Sequence, residues 1–169
     1  TYGMRMIGAQ YEAIGAAAAG CDAIVATGLM PSAGAAQCVG GKLGVPYFHV
    51  SFCPLFLPSH HHRPHPYPGH PFPPGVTDLR ALWDLNIQHM NALFGGTVNT
   101  QRASIGLPTV DNVRDYVFTD HPWLASDPVL WPWLPTDLSN AVQTGAWILP
   151  DKRSLPADLE AFLNAGAPP

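Results

Sequence analysis

The pattern of the N-terminal third predicts an α/β fold built on a doubly wound parallel sheet. Two observations carry this expectation. CDAIVATG and VPYFHVSF are short apolar runs without polar alternation, as expected of strands buried on both faces. Each follows a stretch with helical periodicity, so helix, strand, helix and strand succeed one another at crossover spacing.

Taken in order, Ile7, Tyr11, Ile14 and Ala18 share one helical face over residues 6–19, with Gly20 as the stop. CDAIVATG is the first strand, closed by Gly28. PSAGAAQCVGGKLG is a small-residue helix with Ser32 as its expected N-cap and Gly44 as its end. VPYFHVSF is the second strand. Between Pro54 and Pro74 proline recurs too often for helix or central strand, which predicts a long loop. Helical spacing resumes after a Thr77 or Asp78 cap, with Leu79, Leu82, Trp83, Asn86, Met90, Leu93 and Phe94 on one stripe. This helix is expected to weaken at Gly95-Gly96 and to stop at Gly106 and Pro108. The following stretch reads as irregular, with WLASDPVL and AVQTGAWIL as strand candidates. A last helix is expected to be capped by Ser154 or Leu155, with Pro156 in its first turn, Leu159, Phe162 and Leu163 on its apolar face, and Gly166 as its end.

Composition narrows the function classes. A 169-residue chain that is 47% hydrophobic and 12% charged can build one compact core. A formal net charge of -4, without a basic stripe, argues against nucleic acid as a partner. Three cysteines, an odd number without close pairs, predict reduced thiols rather than a disulfide framework. No stretch reaches the roughly 18 consecutive apolar residues that a membrane-spanning helix needs. The opening TYGMRMIGAQYEAIG and the closing AGAPP both read as cuts from a longer polypeptide.

The motifs offer little catalytic chemistry. HHHRPHPYPGHPFPP concentrates His60, His61, His62, His65 and His70 in the proline-rich loop. Imidazoles so close together suit transition metals. No carboxylate or cysteine joins them at a ligand spacing, so no physiological metal site is expected. The interleaved Phe56, Tyr67 and Phe72 instead suit a stiff lid over a bulky aromatic ligand, while the composition alone also fits a disordered surface loop. Thr27, Gly28 and Ser32 lie at a strand-to-helix turn without GxGxxG or Walker spacing, so a ligand-cleft rim is favoured over a phosphate cradle. His49 reads as a core histidine, and His89 as either a loop-facing or a solvated group. Asp120-His121 is the only adjacent acid–imidazole pair and reads first as a turn before Pro122. Cys53 has no identifiable base and reads as inert.

GKLGVPYFHVSFCPLFLPS, NTQRASIGLPTV, FTDHPWLASDPVL and VQTGAWILPDKRSLPADLEAFLNAGAPP, in this order, resemble the amino-terminal half of bacterial family 1 glycosyltransferases. The likeness is strongest to the enzymes that decorate vancomycin-type glycopeptide antibiotics. It implies an incomplete N-terminal half of a GT-B fold, with a partial Rossmann-like acceptor domain over residues 1–150 and an interdomain linker and helix over 151–169. A second domain would bind the nucleotide-sugar. The sugar would pass to an aglycone hydroxyl by an inverting, metal-independent displacement without a further cofactor.

The family's general base lies near the end of a strand that would precede Thr1, so no catalytic residue is carried over, and the chain alone is expected to be inactive. The resemblance places the acceptor under the loop from Pro54 to Val76. Phe56, Tyr67 and Phe72 would offer aromatic faces, His60 and His61 hydrogen bonds, and Leu29 and Met30 the cleft floor. Leu82, Trp83 and Met90 are expected in the core rather than against ligand. A cytoplasmic monomer that takes a small-molecule aglycone is implied. Macrolide, polyketide or sterol acceptors, or a His-rich metal-binding module, are the alternatives.

Overall fold

The computed structural model describes residues 2–28 and 30–167, with side chains from residue 5 onward. Four parallel strands form one sheet in the order β1-β2-β3-β4: Ile24–Thr27, Tyr47–Ser51, Trp123–Leu124 and Val142–Gln143. Ala26 lies opposite His49, Val50 opposite Trp123, and Trp123 opposite Val142. The expected α/β parallel architecture is therefore present.

α1 runs from Tyr2 to Ala17, and Gly20 turns the chain out of it at φ 81°. Ile7 and Ala18 are buried, while Tyr11 and Ile14 pack against the core from its margin. α2 spans Met30–Leu43 and buries a run of small residues, including Ala33, Ala35, Ala36 and Gly40. It begins two residues before Ser32, so this serine is inside the first turn and not its N-cap. Gly44 at φ 71° ends it as expected. Small side chains let α2 lie close to its neighbours: a Cβ on Gly34 would meet Val98 and Val117 at 3.5 and 3.8 Å.

The proline-rich loop is ordered by specific bonds. Pro54–Phe56 form a 3-10 turn, Leu57 is fully buried, and Tyr67 bridges to His70. Trp83 Nε1–H donates to the Ser59 carbonyl at 2.9 Å within the core. α3 follows, from Leu79 to Met90, and the Asp78 side chain caps it by accepting from the Arg80 N–H at 3.0 Å. A π-helical turn, Asn91–Gly95, joins it to α4, Gly96–Ser104. The weak point expected at the glycine pair therefore takes the form of a widened turn ending at Gly95. Its first residue, Asn91, ties it to the segment at 111–113 by donating to the Asp111 carbonyl and accepting from the Val113 N–H, both at 2.9 Å.

α5, Val113–Phe118, replaces part of the stretch expected to be irregular. Asn112 caps it by accepting from the Asp115 N–H at 3.1 Å, and Val113 and Val117 enter the core. β3 and β4 are shorter than WLASDPVL and AVQTGAWIL predicted. The Asp127 carboxylate accepts from the Val129 N–H and turns the chain after β3, and Gly145 at φ 82° turns it after β4. α6, Ala157–Leu163, starts after Pro156, which supplies no side-chain cap, rather than at Ser154 or Leu155. Leu159, Phe162 and Leu163 are exposed, with Phe162 at 75%. No helix among the described residues is long and apolar enough to cross a membrane.

Candidate functional site

β1 and β2 end side by side, and the chain leaves them through Thr27-Gly28 and Ser51-Phe52-Cys53. Ligands of open parallel sheets bind in the crevice outside such strand ends. A cavity of about 860 Å³ opens there. Its floor is the two strand ends with Met30 and Pro31 of α2, and α1 contributes Ile7. The opposite wall is built by Met90, Leu93 and Phe94, where α3 enters its π-helical turn. Phe56 and Tyr67 of the proline-rich loop close one side. The lining is mainly apolar and aromatic with a few polar groups, the usual composition of a small-molecule site.

His49 lies in this wall at 2% exposure. Its ring meets Phe118 edge to face at a centroid distance of 4.5 Å, and its Nδ1 is 3.5 Å from the Tyr47 hydroxyl. Desolvation pulls its pKa down to about 4, so it is neutral near pH 7. Burial likewise pushes the Tyr47 and Tyr67 phenols up, so both keep their protons. The cavity is therefore a neutral environment. Behind it, Arg114 lies between Trp83 and Phe118 at 5.3 and 5.7 Å and pairs with Asp115 at 2.8 Å. Desolvation lowers its pKa, and its Nε and Nη2 find no partner among the described residues.

The predicted contact residues fall into two groups. Met30, Phe56 and Tyr67 are on the cavity wall. His60, His61 and Phe72 are not among its lining residues. His60 Nε2 pairs with Asp137 at 2.6 Å, and Arg80 holds the other oxygen of that carboxylate. His61 Nε2 bonds to the Pro135 carbonyl at 3.1 Å, and Phe72 stacks on His89 at 5.7 Å. Leu29 lies outside the described residues. His62 bonds to the Leu57 carbonyl and is surrounded by Trp83, Trp131 and Trp133, so neighbouring imidazoles are engaged separately. Among the described residues no three His, Cys, Asp or Glu side chains converge as a metal-binding group.

Leu82 and Trp83 are core residues, whereas Met90 is both buried and on the cavity wall. Thr27 and Gly28 line the cavity but Ser32 does not. His89 faces the loop through Phe72 and His70. Asp120 and His121 are exposed in a bend after α5. Ile7, His49, Phe94 and Phe118 were not among the predicted contacts. For His49 the available signal was its place near the C-terminal end of a strand, the position where ligands of such sheets bind.

No protein-family model matches the chain. Among characterised proteins, glycosyltransferase GtfE of Amycolatopsis orientalis is 51% identical over 163 residues, 96% of this chain and 40% of that protein. The vancomycin aglycone glucosyltransferase of the same organism is 48% identical over the same shares. By sequence, the chain is similar to vancomycin-group glycosyltransferases over nearly its whole length. A dTDP-epi-vancosaminyltransferase of A. orientalis is also 48% identical, over 94% of this chain and 36% of its own length. The chain thus spans about 40% of the length of the first relatives it matches. The α/β parallel sheet agrees with the Rossmann-like N-terminal half of a GT-B glycosyltransferase.

Proposed function

We propose that this chain is the acceptor-binding part of a glycosyltransferase that moves a sugar from a nucleotide-sugar to a hydroxyl of a glycopeptide aglycone. The observation that carries the reading is the apolar, aromatic cavity at the ends of β1 and β2, in a chain about half identical to a vancomycin aglycone glucosyltransferase. A cross-linked aromatic peptide needs wide apolar contact and few polar ones, which this wall supplies. In this reading Met30, Phe56 and Tyr67 touch the acceptor directly. His60 and His61 act one step back, by fastening the proline-rich loop to residues 135–137. Residues 1–150 form the acceptor-binding part and 151–169 lead towards a donor-binding part.

The reaction is an inverting displacement without metal. The acceptor oxygen attacks the anomeric carbon, its proton passes to a general base outside this chain, and the nucleoside diphosphate leaves from the opposite face. The protein works as a cytoplasmic monomer. The test is to incubate the full-length polypeptide that carries this chain with vancomycin aglycone and UDP- or dTDP-glucose, with EDTA present. A product heavier by one hexose is expected. No product from folded enzyme with either donor, and no saturable aglycone binding, would overturn the reading.

A further inference from the structure

We propose that His49 is a specificity-determining residue of the cavity, donating a hydrogen bond through Nε2–H to a neutral oxygen of the acceptor, such as an amide carbonyl. This rests on the acceptor reading above and deepens it.

Three observations lead to this assignment. Of the polar side chains on the cavity wall, His49 and Ser51 are fully buried. Ser51 uses its hydroxyl within its own turn, donating to the Cys53 carbonyl at 2.7 Å and accepting from the Cys53 N–H at 3.3 Å. His49 is different: Nδ1 faces Tyr47, while no group among the described residues hydrogen-bonds to Nε2. The ring therefore lines the cavity with a nitrogen that no described residue engages.

The tautomer follows from acidity. A phenol is a stronger acid than a neutral imidazole N–H, so the Tyr47 hydroxyl donates and Nδ1 accepts. The single imidazole hydrogen then sits on Nε2 and points an N–H into apolar surroundings. Such a donor selects an acceptor oxygen. It favours a neutral group, because the wall solvates a carboxylate poorly. Apolar contact over the rest of the surface gives affinity with little orientation. One fixed donor penalises every pose that leaves it unpaired, and so determines which hydroxyl is turned outward to the sugar.

The experiment uses the full-length polypeptide with vancomycin aglycone as the probe and compares wild type, His49→Phe and His49→Gln. His49→Phe is expected to weaken aglycone binding and raise KM about 10- to 100-fold with little change in kcat, since it removes a hydrogen bond at a site that keeps its apolar surface. His49→Gln retains an N–H donor and should recover part of the loss. In wild-type enzyme labelled with 15N-histidine, the His49 Nε2–H resonance should move downfield on adding aglycone. His49→Phe binding with wild-type affinity, or an imidazole signal unmoved at saturation, would overturn the proposal while leaving the acceptor reading intact. If the wild type itself neither binds nor glycosylates the aglycone, the acceptor reading fails and this proposal with it.

Discussion

At the scale of single residues, a buried imidazole ties stability to pH. His49 has an ordinary pKa near 6.5 when unfolded and about 4 in the fold, because desolvation disfavours its charged form. Between these values the unfolded chain binds a proton that the folded chain does not, so stability falls as pH drops through this window. Above pH 6.5 the contribution is complete, and below pH 4 it has levelled off at a loss of roughly 3 kcal/mol. His49→Gln should therefore show a shallower acid limb than wild type in denaturant titrations between pH 4 and 6.5. Identical limbs would show that His49 is not buried neutral. From the sequence, a histidine on an apolar strand could be read as buried. That it lines a cavity depends on how Phe118 and Tyr47 are placed around it, which periodicity does not reveal. The loop histidines show the same limit, since Asp137 and Pro135, which hold His60 and His61, lie far along the chain.

At the scale of elements, α2 illustrates what composition can and cannot predict. Its small residues marked a closely packed helix, and Gly44 marked its end. The presence of Ser32 suggested too late a start, because the helix already begins at Met30, which is buried in the core. Gly34 lies mid-helix, with helical backbone and only ordinary contact distances around an added methyl group. Gly34→Ala should thus stabilise the protein by about 0.5–1 kcal/mol, read as a higher denaturant midpoint with unchanged slope. A lower midpoint would mean that Val98 and Val117 cannot accommodate the methyl. α5 went unread because it has one turn and a half, too short for periodicity to register. Its Asn112 cap with Asp115 three residues later is a start signal that could have disclosed it. β3 and β4 were found but overextended, since turns at Asp127 and Gly145 interrupt apolar runs that otherwise continue.

At the scale of the whole molecule, the sheet has two unlike faces. Ile24 packs among Ala36 and Val39 of α2 on one side. On the other, Val25, Phe48, Trp123 and Val142 share a face by register, and Val25 and Val142 remain about half exposed. Phe48 stacks on Trp123 at 4.9 Å, and Trp147 extends the aromatic row to Phe52, a cavity residue. Parallel sheets in α/β proteins are normally covered on both faces. The helix–strand–helix–strand order of the N-terminal third and the location of a cleft at the strand ends could be anticipated from the pattern of the chain. The division of labour in the proline-rich loop could not. Phe56 and Tyr67 reach the cavity while the histidines fasten the loop from behind, and this depends on contacts with α3 and residues 131–137.

A crystal structure of the full-length polypeptide with vancomycin aglycone decides whether this strand-end cavity receives the acceptor. Aglycone rings are expected against Phe56, Tyr67 and Phe94, with an acceptor oxygen within hydrogen-bond distance of His49 Nε2. An aglycone seated elsewhere, with the space between β1, β2 and α3 filled by protein, would contradict this placement.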